Sequence, residues 1–121
     1  MATPKPTDII YHQQSKQLEV SFDDKVTFNM SAEFLRVNSP SAEVQGHGPG
    51  QAVLQLDKED VGIDAIEPTG NYAVTLRFSD GHDTGIFSWE GLYKLGSNHD
   101  ELWNDYLSRL EEAGHQRKAV N

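Results

Sequence analysis

Apolar and polar positions alternate along the first third of the chain. Leu18, Val20 and Phe22 are separated by Glu19 and Ser21, the period-two sign of a half-buried strand. "DDK" at 23–25 reads as a hairpin turn, after which Val26, Phe28 and Met30 resume the alternation. "SAEFLRV" then breaks the pattern. Ser31 is placed as an N-cap and Glu33 suits the first turn, so a helix of one or two turns is expected before Pro40. "NSPSAEVQGHGPGQ" (38–51) reads as a long loop, because Gly46, Gly48, Pro49 and Gly50 oppose regular structure. "AVLQLD" is expected to be a short strand.

The middle of the chain is the most regular part. Val61, Ile63 and Ala65 alternate, as do Tyr72, Val74, Leu76 and Phe78. "PTGN" (68–71) and "SDGH" (79–82) supply turn residues that accept positive φ, so an antiparallel meander is expected. The last third changes period. Trp89, Leu92, Tyr93 and Leu95 suit a helix capped by Ser88 and stopped at Gly96. A second helix, carrying Leu102, Trp103, Tyr106, Leu107 and Leu110, starts near Ser97 or Asn98 and ends at Gly114. The fold class is therefore α+β: a small antiparallel β-sheet, hairpin plus meander, packed by C-terminal helices. Residues 1–7 read as a loose arm, 8–113 as one domain and 114–121 as a tail.

Charge narrows the partners. The 121 residues carry 19 acidic and 10 basic side chains, a net charge of -9. That balance repels nucleic acid and anionic membranes and suits a cationic protein partner. With no cysteine in the chain, disulfides, thiolate zinc sites, cysteine-ligated Fe–S clusters and cysteine nucleophiles are excluded within it. The opening "MATPKPTDII" lacks the apolar stretch of a secretory signal, so a cytoplasmic location is expected. Oligomeric state is open.

Candidate chemistry concentrates on histidine. Asp80, His82 and Asp83 crowd one turn, with Asp64, Glu67 or His47 as candidate neighbours. Such a set can bind Zn, Fe, Mn or Ni, but a solvated hairpin turn is built from the same residues and is the favoured reading. "GHGPG" (46–50) has the glycines of a phosphate cradle but neither a P-loop lysine nor a following helix. It reads as a loop that positions His47. Trp89, Tyr93, Trp103 and Tyr106 suit a core with polar tips, or a partner groove. No serine lies in a nucleophile elbow, and "HDELW" lacks the second histidine of a zincin. No complete catalytic set is present.

Three segments together resemble a known family: "HQQSKQLEVSFDD" (12–24), "EFLRVNSPSAEVQGHG" (33–48) and "VGIDAIEPTGNYAVTLRFSDGHDTGIFSWEGLYKLG" (61–96). They are similar to the DUF971 family, the domain like the N-terminal domain of gamma-butyrobetaine hydroxylase. In the hydroxylases the resemblance implies a structural zinc held by three cysteines and one histidine, ahead of a separate oxygenase domain. The cysteine stretch corresponds here to "LRVNSPSAEV", placing Ser39, Ser41 and Val44 at the ligand positions and His82 at that of the histidine. A hydroxyl is a poor zinc ligand and valine is none, so the resemblance implies the fold without the zinc site. Related domains also occur as stand-alone bacterial proteins, the kind this chain looks like, and fused to ATPases carrying Fe–S clusters. That company suggests a helper near Fe–S or cofactor assembly.

The expectation is thus a non-enzymatic binding or adaptor domain with a protein partner and no cofactor. In it Ser39, Ser41 and His82 form a polar junction. The alternative is a metal-binding domain in which His82 and His47 join Asp80, Asp83 or Glu43 around Zn or Fe. A third reading makes His82 a general base oriented by Asp80 or Asp83.

Overall fold

The computed structural model describes residues 4–46 and 53–116. Strands β1 (Pro6–His12), β2 (Gln17–Phe22) and β3 (Thr27–Ser31) form an antiparallel sheet with β2 in the middle. Central placement suits β2, whose Leu18, Val20 and Phe22 are all buried. Leu18 lies opposite Met30, and Val20 opposite Phe28. β1 begins at Pro6, inside the segment read as an arm, and pairs Pro6 with Phe22.

Helix α1 (Ala32–Val37) follows directly. The Ser31 hydroxyl accepts the Phe34 backbone N–H at 3.0 Å, the expected cap. Helix α2 (Ala42–Gln45) is a single turn. Strands β4 (Ile63–Thr69), β5 (Ala73–Phe78) and β6 (Ile86–Ser88) form a second antiparallel sheet with β5 in the middle. The hairpin and the meander therefore complete two separate three-stranded sheets. Helix α3 (Trp89–Ser97) is capped by Ser88, whose hydroxyl accepts the Gly91 N–H at 3.0 Å, and α4 (His99–Glu112) closes the fold. The class is α+β.

One core joins both sheets. Leu18, Val20 and Met30 from the first meet Val74, Leu76 and Phe78 from the second, with Phe34 of α1 and Leu92 of α3. A smaller cluster packs Val37 against Tyr106 and Leu110 of α4, with Leu54 at its edge. "AVLQLD" is not a strand where it is described, from Val53 onward. Its apolar residues face no neighbouring strand. The Gln55 carbonyl instead accepts the Tyr106 hydroxyl at 2.7 Å, and Leu54 joins the α4 cluster. Tyr72 is exposed in the β4–β5 turn rather than continuing the β5 alternation.

The aromatics read as core with polar tips sit accordingly. Trp89 donates to the Asn71 carbonyl at 2.9 Å. Tyr93 stacks edge-on against Phe22 and Phe28 and donates to Asp24 at 2.7 Å. Among the described residues no helix is long and apolar enough to cross a membrane.

Candidate functional site

The site is a corner between the end of α1 and the β5–β6 turn. α1 ends at Asn38, whose backbone N–H returns to the Phe34 carbonyl. This delivers Ser39 inward, 0% exposed, and Ser41 8% exposed. On the facing side Gly81 takes φ +91°, and the backbone N–H of Gly81 bonds the Phe78 carbonyl. The turn folds His82 back over the sheet, where it is 6% exposed and its ring lies 5.9 Å from that of Phe78.

Both serines meet one ring nitrogen. Ser39 Oγ lies 2.9 Å from His82 Nε2, and Ser41 Oγ 3.3 Å from the same atom. Hydroxyls donate and accept, so the nearer contact, from Ser39, forms in either imidazole tautomer, with Ser41 sharing the same nitrogen at longer range. Ser39 Oγ also accepts the Ser41 backbone N–H at 3.4 Å. Val44 is buried on α2, and its backbone N–H bonds the Ser41 carbonyl at 3.1 Å. Gly85 closes the corner from the β5–β6 connection: a Cβ there would stand 2.5 Å from Ser39 Oγ.

An ion cluster braces the turn from below. Asp80 Oδ2 receives Arg36 Nε at 2.9 Å and Lys58 Nζ at 2.7 Å, while Oδ1 accepts the His82 backbone N–H at 3.1 Å. Burial pushes the Asp80 carboxyl up, but the hydrogen bonds from Lys58, the His82 backbone and Arg36 outweigh it and hold it at about 2. Arg36 is itself buried.

This geometry redistributes the predicted residues. Ser39, Ser41 and His82 come together, and Val44 is buried in the next turn, bonded through its backbone to Ser41. Asp80 holds the backbone N–H of His82 while ring Nε2 faces the serines, so the aspartate–histidine general-base arrangement does not form through Asp80. Asp64, Glu67 and Asp83 are exposed, and Glu67 pairs with Arg77. His47 and the side chain of Glu43 lie outside the described residues. Among the described residues, His82 joins no group of three metal-ligating side chains. Two hydroxyls and an isopropyl group do not fit a structural zinc, whose ligands are thiolate, imidazole or carboxylate. Beside the corner runs a groove of about 250 Å³ lined by Asn38, Pro40, Gln45, Ile86, Phe87 and their neighbours, but not by His82.

Sequence reading did not find Arg36, Lys58 or Gly85. Arg36 sits on a short helix where a basic residue suits the last turn in any case. Gly85 in "DTGIF" gave no sign of the side chain that needs its space.

Fold and corner together define an α+β domain built around a buried serine–histidine junction. The chain belongs to the gamma-butyrobetaine hydroxylase-like N-terminal family, whose model matches residues 9–93. Two solution NMR structures are similar over almost the whole chain. One is 46% identical with a TM-score of 0.84, covering 99% of this chain and 94% of its own. The other is 52% identical with a TM-score of 0.82, covering 98% and 92%. A crystal structure of a protein of unknown function from the DUF971 family of Acidithiobacillus ferrooxidans is 38% identical, with a TM-score of 0.64 over 76% of this chain and 92% of that one. No curated protein matches the chain.

Proposed function

We propose that this chain is a non-enzymatic binding domain in which the Ser39–His82–Ser41 junction replaces zinc as the tie between α1 and the β5–β6 turn. The supporting observation is the pair of buried contacts, 2.9 and 3.3 Å, that the two hydroxyls make with a single imidazole nitrogen. A histidine engaged in this way braces the fold and is not presented to a substrate. The net charge of -9 favours a protein partner offering a basic segment, and disfavours nucleic acid and anionic membranes. The family's association with Fe–S proteins makes a cofactor-assembly factor the natural candidate to try first.

Capture with the full chain should return a saturable protein partner whose affinity falls between low and high salt. A capture that returns no specific partner, together with measurable turnover of a small molecule, overturns the reading.

A further inference from the structure

A second cluster of chemistry lies away from this corner, where the segment before β4 meets the end of α4. Helix α4 stops at Ala113, and Gly114 takes φ +72°. The His115 backbone N–H reaches back to the Leu110 carbonyl at 3.0 Å, the 6→1 bond that ends many helices. The reversal turns the His115 ring toward residues 57–59. One ligand atom each from Asp57, Glu59 and His115 lies within 4.8 Å of the other two.

The three are poorly satisfied by the protein itself. Glu59 Oε1 and His115 Nε2 are shielded from solvent, and neither makes a hydrogen bond. Asp57 Oδ1 stands 3.4 Å from His115 Nε2, within ion-pair reach but not aligned as a hydrogen bond. Among the described residues no lysine or arginine pairs with Asp57 or Glu59. Lys58, between them in sequence, is committed to Asp80 at 2.7 Å. Asp57 also holds a left-handed backbone, φ +60°, that a non-glycine residue adopts at a cost. Asp57 is largely exposed, but the shielded Glu59 Oε1 and His115 Nε2 converge on it with no lysine or arginine among them, an arrangement that a cation would complete.

We infer that Asp57, Glu59 and His115 form a binding site for a divalent first-row transition ion of the zinc class. One imidazole and two carboxylates suit such an ion better than Mg²⁺ or Ca²⁺, which take oxygen ligands alone. Three protein ligands leave a fourth position for water or for a donor from a partner. The ion clips the segment before β4 to the C-terminus of α4, and Lys58 connects that clip to the Asp80 brace beneath His82. The inference stands independently of the adaptor reading.

The test uses the full chain with Zn²⁺ as the probe, followed by calorimetric titration and thermal melting. Wild type should bind one Zn²⁺ saturably and melt on the order of 11 °C higher at a hundredfold excess over Kd. His115→Gln and Glu59→Gln should each weaken binding roughly tenfold or more. His12→Gln, at the exposed His12–Glu19 pair, should leave it unchanged. Amide spectra of each variant check that the fold is kept, and Mn²⁺ should broaden signals from residues 57–59 and 113–116. No saturable zinc binding by wild type, or binding that survives both His115→Gln and Glu59→Gln, overturns the inference.

Discussion

Replacing His82 with alanine separates a structural junction from an ordinary turn residue. The substitution keeps the backbone N–H that Asp80 accepts, so the turn itself is retained. It removes the ring nitrogen that faces Ser39 Oγ at 2.9 Å and Ser41 Oγ at 3.3 Å. A buried hydroxyl deprived of its partner costs about 1–3 kcal/mol. Ser39 keeps the Ser41 N–H and is only partly orphaned, which places its share at the low end. The lost ring contact with Phe78 and the space left behind add a cavity cost. About 3 kcal/mol in total is expected. A chain of 121 residues has an unfolding entropy near 0.25 kcal/mol/K, so the melting temperature should fall by roughly 12 °C. The exposed His12→Ala control should move it by no more than about 2 °C. Thermal melts followed by circular dichroism read both. A fall of about 2 °C or less for His82→Ala would refute the junction and return His82 to the status of a solvated turn residue.

Other perturbations probe the same corner. Introducing cysteine at Ser39, Ser41 and Val44 together, in a His115→Gln background, should create a site for one zinc. A tetrahedral Cys₃His site needs S···N separations of about 3.6 Å, against present contacts of 2.9 and 3.3 Å, which the longer cysteine side chains and a small shift must accommodate. Metal analysis after dialysis checks it, and adding His82→Ala should weaken the uptake. Gly85→Ala should cost about 1–3 kcal/mol, because the new Cβ stands 2.5 Å from Ser39 Oγ and 3.1 Å from the Phe87 ring; denaturant titration measures it. Asp80 is depressed on folding, to about 2 from an ordinary 3.8, so the stability it confers is present above pH 4 and lost as pH falls through about 2. Asp80→Asn should therefore lower stability at neutral pH, by on the order of 2 kcal/mol, and flatten its fall between pH 4 and 2.

The sequence was legible where one element carries its own signal. The alternation at Leu18, Val20 and Phe22 identified β2, and the hydroxyls of Ser31 and Ser88 cap the two helices they were assigned. The Asp80–Gly81 turn needed only glycine's access to positive φ. Division into two sheets was not legible, because pairing is a long-range choice that local periodicity does not encode. "AVLQLD" misled for the same reason: alternation predicts a strand only where another strand is available to pair with it. The corner was visible only through family resemblance, since Ser39 and His82 lie 43 residues apart. Asp57, Glu59 and His115 gave no sign at all. A helix terminus brings them together, and a tail histidine carries no period.

In the proposed reading His82 is held by two serines and not by a metal. The most direct measurement is the ring ¹⁵N spectrum of the histidines in the full chain, recorded with and without added Zn²⁺. The account predicts that the His82 ring nitrogens keep their shifts while those of His115 move. A zinc-dependent displacement of His82 Nε2 would contradict it.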